Sequence, residues 1–246
     1  MIITHCEVNN VKIERLLVFG DIHGMWEKFL SAYEKVQFDP QRDMLIFLGD
    51  YLDRGKGNVQ MMEWVLEHFG KPNMIFLRGN HDAMFYESLR GFEGDSLLDL
   101  SLDPDLLLWL ANGGKATFLE IFKTGRGPEL IKSWLQVIGK MPLYTEVVAE
   151  GHTYWFMHAD CIPGLPLEEQ PEETLLWKRH LAAYPEDQTG EQTIVLGHTP
   201  VQSLGYAAVP QVLAAGRLVL MDTGSFLPTG RVSCLDLLSE TVYQSE

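Results

Sequence analysis

The chain has 246 residues, 46% of them hydrophobic and 11% aromatic, which is enough apolar surface to bury a sizeable core. Its formal net charge of −15 lacks the basic footprint that binding to a nucleic-acid backbone requires, so we expect no nucleic-acid partner. The three cysteines form no CxxC pair, and no apolar stretch approaches the roughly 18 residues of a membrane span, which predicts a cytoplasmic protein without disulfides, thiolate zinc or a membrane partner.

Six short apolar runs are typical of strands that are buried on both faces. They are Leu16 to Phe19, Met44 to Leu48, Met74 to Leu77, Tyr154 to Met157, Ile194 to Leu196 and Leu218 to Met221. Between the first three runs, apolar residues recur at helical spacing. The positions are Trp26, Phe29, Leu30, Tyr33 and Val36, then Val59, Met62, Val65, Leu66 and Phe69. The first third therefore reads βαβαβ, and the chain is predicted to be an α/β protein.

The strand pattern stops between about residues 95 and 140, where a helical period replaces it. Candidate core positions in this stretch are Trp109, Leu119, Phe122, Trp134, Leu135 and Ile138. Because strand signals resume afterwards, we expect a helical insert within a single catalytic domain that spans residues 1–246.

Polar side chains follow five of the apolar runs at their C-terminal ends. The segments are GDIHG at 20–24, GDYLDRG at 49–55, GNHD at 79–82, His158, and GH at 197–198. Open α/β sheets place ligand sites at the C-terminal ends of their strands, so we expect these side chains to converge on one pocket. Carboxylates, imidazoles and a carboxamide without a thiolate suit Mn, Fe or Zn. The sequence therefore predicts a site for divalent metal ions.

These motifs, in this order and over nearly the whole chain, resemble the calcineurin-like metallophosphoesterases, and among them the PPP-type phosphoprotein phosphatases. GHTP at 197–200 and DTG at 222–224 extend the match, and NGG at 112–114 resembles the compact bacterial and phage phosphatases. The resemblance implies a β-sandwich of two mixed sheets flanked by helices. The chain departs from the eukaryotic pattern in having His158-Ala159-Asp160 for His-Gly-Gly and GNHD for GNHE.

Two divalent metal ions are implied by the resemblance, with Mn²⁺ preferred and Fe or Zn as alternatives. If Asp50 bridges the ions, one is bound by Asp21, His23 and Asp50. The other is bound by Asp50, Asn80, His158 and His198, at a metal–metal distance of about 3.5–4 Å.

The resemblance also implies that a bridging hydroxide attacks phosphorus in line, without a phosphoenzyme. His81 would be the general acid for the leaving alkoxide, and Asp53 would orient it. Arg54 would bind the phosphate oxygens, while Arg179 is either a second phosphate clamp or part of a solvated helix face. Three further aspartates either support ligand histidines or cap turns: Asp82, Asp160 and Asp222.

Three functions are consistent with these residues. The first is a serine/threonine protein phosphatase acting on a phosphoprotein or a small phosphorylated substrate. The second is a symmetrical dinucleoside tetraphosphate hydrolase, which needs a nucleoside pocket; Trp109 and Tyr206 are candidate stacking side chains. The third is an inactive metal-binding scaffold, against which intact His81, Asp53 and Arg54 argue. We expect a monomer or a weak homo-oligomer.

Overall fold

Two mixed β-sheets pack face to face, and helices cover the outer face of each sheet. The computed structural model that shows this describes residues 7–8, 13–91 and 103–246. The strands are β1 (Glu7–Val8), β2 (Arg15–Phe19), β3 (Asp43–Phe47), β4 (Met74–Phe76), β5 (Tyr144–Ala149), β6 (His152–Met157), β7 (Thr193–Leu196), β8 (Gln211–Leu213), β9 (Leu218–Leu220), β10 (Ser233–Asp236) and β11 (Thr241–Gln244). The predicted β-sandwich is confirmed.

Parallel strands form the centre of each sheet. One sheet has the order β11-β10-β2-β3-β4, in which β2, β3 and β4 are parallel and β10 is antiparallel to β2. The other has the order β1-β5-β6-β7-β9-β8, in which β6, β7 and β9 are parallel, and β5 and β8 run antiparallel to their neighbours β6 and β9. The polar segments that follow these parallel strands therefore leave each sheet at one end.

Eight α-helices are present in the described ranges. They are α1 (Trp26–Val36), α2 (Asn58–His68), α3 (Asn80–Leu89), α4 (Pro104–Trp109), α5 (Lys115–Lys123), α6 (Gly127–Ile138), α7 (Glu172–Trp177) and α8 (His180–Ala183). A π-helical segment, Leu110–Gly114, joins α4 to α5. None of the helices within 13–91 and 103–246 combines the length and apolar character that crossing a membrane requires.

All six predicted strands are confirmed, but the structure divides them between two sheets. The first three apolar runs form β2, β3 and β4, and the last three form β6, β7 and β9. The sequence pattern missed β1, β5, β8, β10 and β11. In β5, buried residues alternate with half-buried ones such as Glu146, so it lacks the continuous apolar run that marked the central strands.

The central strands carry continuous apolar runs because each of their faces is buried in a different layer. Leu17 and Phe19 of β2 pack with the helices, whereas Leu16 and Val18 pack against the other sheet. Successive side chains of a strand point to opposite faces, so one run supplies both cores. A third cluster, which includes Ile194 of β7, lies under the helices over the six-stranded sheet.

Where a helical insert was predicted from about residue 95 to 140, the chain is helical from residue 104 to 138, and residues 92–102 lie outside the described residues. Trp109, Trp134 and Ile138 are fully buried, as predicted. The prediction for Leu119 was wrong, because its side chain is 47% exposed. Helix α5 buries Thr117 and Ile121 instead, so its inward face lies on the other side of the helix.

Phe47 lies at the centre of an aromatic stack under α1 and α2. Its ring centroid is 5.2 Å from that of Phe19 and 4.8 Å from that of Phe76. We expect Phe47→Ala to lower the free energy of unfolding by about 3–5 kcal/mol, because it leaves a cavity in a packed core. Urea unfolding followed by circular dichroism measures this. Leu119→Ala, on the exposed face of α5, is the control and should change stability by less than about 0.5 kcal/mol.

Candidate metal centre

Seven polar side chains meet where the parallel strands of both sheets end. Asp21 follows β2, Asp50 follows β3 and Asn80 starts α3 after β4, while His158 and His198 follow β6 and β7. All predicted ligands and the predicted acid are at most 6% exposed: Asp21, His23, Asp50, Asn80, His81, His158 and His198. The structure thus brings together every one of these sequence-predicted residues.

Asp50 lies at the middle of the cluster. Its Oδ2 atom is 3.5 Å from Nε2 of His23, and its Oδ1 atom is 3.5 Å from Nε2 of His158. Two groups of potential ligand atoms, each within 4.8 Å of one another, share this carboxylate. They are His23, Asp50 and His81, and Asp21, Asp50 and His158. A carboxylate common to two such groups has the position that a bridging ligand requires.

The amide oxygen of Asn80 faces two imidazoles. Oδ1 lies 2.9 Å from Nε2 of His158 and 2.9 Å from Nδ1 of His198. These three atoms come from α3, the residue after β6 and the loop after β7, so both sheets contribute to this half of the cluster.

The opposite ring nitrogens of the three ligand imidazoles contact backbone carbonyl oxygens. Nδ1 of His23 lies 2.9 Å from the Leu52 oxygen, and Nδ1 of His158 lies 2.9 Å from the Leu48 oxygen. Nε2 of His198 lies 3.2 Å from the oxygen of Trp177. Donation of an N–H to each carbonyl leaves the other nitrogen unprotonated and facing the cluster, as metal ligation requires.

Burial keeps these imidazoles neutral. It lowers the pKa of His23 and His158 below the ordinary range and that of His198 to about 2. A neutral imidazole offers a lone pair to a metal without first losing a proton.

Carboxylate oxygens are orphaned at the same place. Oδ2 of Asp21 and Oδ2 of Asp222 are buried without a hydrogen-bond partner in the part of the chain that the structure describes. Burial, together with neighbouring carboxylates, raises the pKa of Asp21 well above its ordinary value, and burial raises that of Asp222 to about 6. A buried carboxylate is stabilised when a cation replaces its lost hydration. Nitrogen and oxygen donors with unsatisfied negative charge therefore fit divalent metal ions.

The loops that carry these ligands adopt backbone conformations that are uncommon for residues with a Cβ atom. Five site residues have positive φ angles between 52° and 76°: His23, Asp50, Asp53, Arg54 and His198. Two glycines allow close approach: a Cβ on Gly79 would lie 2.1 Å from Oδ1 of Asp50, and one on Gly197 would lie 2.4 Å from Oδ1 of Asp21. Such strain at several neighbouring residues is typical of functional sites.

His81 forms a pair with Asp53 beside the cluster. Its Nδ1 atom lies 2.7 Å from Oδ2 of Asp53, and both side chains are buried. Burial opposes the charged imidazole, but the carboxylates of Asp50 and Asp53 outweigh burial and raise the pKa of His81. His81 therefore differs from the three neutral imidazoles in holding its proton more firmly.

Arg54 lies across the mouth of the cluster. Its two terminal nitrogens are 2.8 Å from Nε2 of His23 and 2.9 Å from Nε2 of His81. The guanidinium carbon lies 4.1 Å from the ring centroid of Phe226, which supports the exposed charge from one side. The sequence pattern did not identify Phe226, because it lies two residues beyond the DTG motif and more than 170 residues after Arg54.

Arg179 lies beside the loop that carries His198, immediately before α8. One guanidinium nitrogen donates to the backbone oxygen of His198 and to Oγ1 of Thr199, each at 3.0 Å. Its side chain therefore contacts the loop that carries a predicted ligand.

The other aspartates hold backbone rather than ligand histidines. Asp82 accepts hydrogen bonds from the backbone N–H groups of Asp50, Tyr51 and Gly79, at 2.8, 3.2 and 2.9 Å. Asp160 accepts from Cys161, His180 and Leu181, at the start of α8. Of the two readings left open by the sequence, turn and helix capping is what the structure shows for these two residues.

Comparison with known proteins gives one family and relatives of two activities. The family described as "Calcineurin-like phosphoesterase" matches residues 14–228. Serine/threonine-protein phosphatase 2 of Salmonella typhimurium (strain LT2) is 25% identical over 233 residues, which are 92% of this chain and 94% of that protein. A symmetrical bis(5'-nucleosyl)-tetraphosphatase of Methylobacillus flagellatus is 35% identical over 98 residues, 37% of this chain and 35% of that protein.

A solved structure has the same fold. A protein provisionally named a diadenosine tetraphosphatase superposes with a TM-score of 0.66 over 98% of this chain and 96% of its own. At 17% sequence identity, this similarity supports the two-sheet architecture alone.

We expect Asp50→Asn to lose bound metal, because the substitution removes the negative charge that both ligand groups share. The measurement is metal content by mass spectrometry after reconstitution with Mn²⁺ and dialysis, with a fall from about two ions per chain to below about one. Asparagine keeps an oxygen that can accept the backbone N–H of His81, which Asp50 accepts at 2.9 Å.

Asp43→Asn is the matched control, since Asp43 is also buried and lies at the other end of β3, paired with Arg15. It should lower stability and leave metal content unchanged. Retention of two ions by Asp50→Asn would contradict the bridging position.

Proposed function

Because the chain belongs to the calcineurin-like phosphoesterase family, we propose that it is a metal-dependent serine/threonine protein phosphatase. The observation that carries this proposal is the placement of the His81–Asp53 pair and of Arg54 at the edge of the buried ligand cluster. In this arrangement His81 would be a proton donor and Arg54 a phosphate-binding cation, beside the residues that would hold two metal ions.

Two ions, Mn²⁺ by preference, would be held by the ligands predicted from the sequence. These are Asp21, His23 and Asp50 for one ion, and Asp50, Asn80, His158 and His198 for the other. Divalent ions in such a site lower the pKa of water toward neutrality and neutralise charge on a phosphate.

His81 would donate a proton to the leaving oxygen of the substrate. The alkoxide of serine or threonine is a poor leaving group, and general acid catalysis is most useful for such a group. Asp53 bonds Nδ1 of His81, which fixes the ring so that Nε2 faces the cluster and Arg54. The raised pKa of His81 favours the protonated form that this role needs, and in that form Nε2 carries a proton, so the Arg54 nitrogen that lies 2.9 Å from it would bond the phosphate instead.

Arg54 and Arg179 would bind the non-bridging phosphate oxygens. Arginine presents planar, paired N–H donors that match phosphate geometry. Arg54 is already ordered by His23 and the ring of Phe226. Arg179 is ordered by the backbone at His198. Two cations at one phosphate favour a dianionic monoester.

The extent of the similarities supports a protein phosphatase. The alignment with the Salmonella phosphatase covers 92% of this chain, whereas the alignment with the Methylobacillus tetraphosphatase covers only 37% of it. The shorter match spans a region in which two enzymes could share metal and phosphate residues while differing in the surfaces that bind the leaving group.

Hydrolysis of a dinucleoside tetraphosphate is the second candidate function. A mainly apolar cavity of about 380 Å³ adjoins Arg54, with Met25, Trp26 and Lys56 in its wall, and it has room for a nucleoside. The alternative that Trp109 stacks on the base is wrong, since Trp109 is fully buried. Tyr206 is 39% exposed and remains available for stacking.

Steady-state hydrolysis of a phosphothreonine peptide and of diadenosine tetraphosphate separates the two functions. Metal-stripped protein is reconstituted with Mn²⁺ and assayed with each substrate. We expect kcat/KM to be at least about tenfold higher for the peptide, because its alkoxide needs the acid that this site provides. Faster cleavage of the dinucleotide would support the second function instead. If neither substrate nor p-nitrophenyl phosphate is hydrolysed, the protein is an inactive scaffold.

His81→Ala should lower kcat for the phosphothreonine peptide by roughly 10²–10⁴ and leave metal content unchanged, because it removes a proton donor. His68→Ala is the matched control, since His68 stacks on Trp64 and bonds its backbone oxygen, away from the strand ends. It should leave kcat unaltered. An unchanged kcat for His81→Ala would exclude His81 as the acid.

A further inference from the structure

Three residues of the helical insert contact the GDYLDRG loop that carries Asp53 and Arg54. Trp109 ends α4, Gly113 lies in the π-helical segment, where its φ of 113° bends the chain, and Thr117 lies in α5. We propose that these residues of the insert position Asp53, and through it His81, for proton transfer to the leaving group. The inference rests on the proposed role of His81 as general acid, and the residues of the insert act as positioning residues.

Trp109 holds both oxygens of the Asp53 carboxylate. Its indole N–H lies 2.9 Å from Oδ2 and 3.1 Å from Oδ1, and both side chains are fully buried. Oδ2 is also the atom that His81 contacts at 2.7 Å. The indole therefore fixes the rotation of the carboxylate that decides where its bond to His81 points.

Thr117 holds the side chain and the backbone of Asp53 at once. Its hydroxyl donates to Oδ1 at 2.6 Å and accepts the backbone N–H of Asp53 at 3.0 Å. The same N–H also reaches Oδ1 of Asn58 at 2.7 Å. Asp53 has a φ of 76°, a conformation that a residue with a side chain keeps only when its surroundings impose it. Thr117 supplies part of that constraint.

The NGG motif explains how the insert comes so close. A Cβ on Gly114 would lie 2.4 Å from Nε1 of Trp109, so only glycine lets the indole lie against this turn. Gly113 has a φ of 113°, and its backbone oxygen accepts the N–H of Arg54 at 3.3 Å. A Cβ there would lie 2.9 Å from Cγ of Arg54.

These contacts give the carboxylate of Asp53 three side-chain donors: His81, Trp109 and Thr117. Hydrogen bonds to an ionised group are the stronger kind, and three of them define one orientation. Loss of a donor from the insert would leave Asp53 free to turn away from His81 without altering the metal ligands. The acid would then be misplaced while the cluster stays intact.

Trp109→Phe tests the inference, because phenylalanine fills most of the same space but has no N–H. Two substrates are compared: a phosphoserine peptide, whose alkoxide must be protonated, and p-nitrophenyl phosphate, whose phenolate leaves readily without an acid. We expect kcat to fall about tenfold on the peptide and less than about twofold on p-nitrophenyl phosphate, with KM unchanged on both. Equal losses on both substrates would overturn the inference in favour of a general structural role.

Trp134→Phe is the matched control. Trp134 is a fully buried tryptophan of the same insert, and its indole N–H has no acceptor within the described residues. The substitution should therefore leave the ratio of the two kcat values unaltered. A change equal to that of Trp109→Phe would overturn the inference.

Thr117 provides an independent pair of variants. Thr117→Val removes the hydroxyl at nearly constant shape and should lower kcat selectively on the peptide, whereas Thr117→Ser keeps the hydroxyl and should restore it. Failure of serine to restore the selective loss would overturn the assigned role of the hydroxyl, and with it the inference.

Coupling to His81 distinguishes failure of the inference from failure of the proposed function. In the His81→Ala background, Trp109→Phe should cause no further loss on the peptide, because the acid that it positions is gone. A full additional tenfold loss would overturn the inference alone. If His81→Ala has no effect by itself, the proposed acid fails, and the inference fails with it.

Discussion

Buried negative charge at the strand ends is the constraint on which the rest of the structure depends. Asp21 leaves the five-stranded sheet and Asp222 leaves the six-stranded sheet, and each has a carboxylate oxygen without a partner among the described residues. The two sheets are in close contact at this point. Gly20 follows β2 and Met221 follows β9, and a Cβ atom on Gly20 would lie 2.2 Å from the backbone oxygen of Met221. A cation bound here would therefore join the two layers while compensating charges that are costly to bury. The same ions would form the reaction centre, so stability and activity are coupled at one place.

The helical insert links the fold to the proposed chemistry. Apolar side chains of the insert pack against the helices of the five-stranded sheet. From the same insert, Trp109 and Thr117 both donate hydrogen bonds to the buried carboxylate of Asp53. Packing and positioning are thus carried out by the same helical segment. A site whose acid is held by its scaffold keeps the proton donor in place without needing the substrate to order it.

The residues of the site suggest how a phosphate would be bound, but they say less about which leaving group would be bound. The proposed metal ligands and Arg54 would act on the phosphate itself and would serve a monoester or an anhydride alike. The leaving group would meet the rim, where a cavity beside Trp26 lies next to Arg54. Discrimination between a peptide and a nucleotide therefore depends on surfaces outside the shared motifs, which is why relatives with the two activities resemble this chain.

The sequence by itself determined the α/β class, all six central strands and the group of side chains at their ends, because a buried strand and a metal ligand are both recognisable from local residue type. It left β5 and β10 unidentified, since short or half-buried strands lack a distinctive pattern. Only the tertiary structure decided which strands belong to which sheet, that Asp82 holds the Asp50 loop, and that Trp109 bonds Asp53. These contacts join residues up to dozens of positions apart in the chain, and such pairings depend on how layers pack, which local periodicity does not contain.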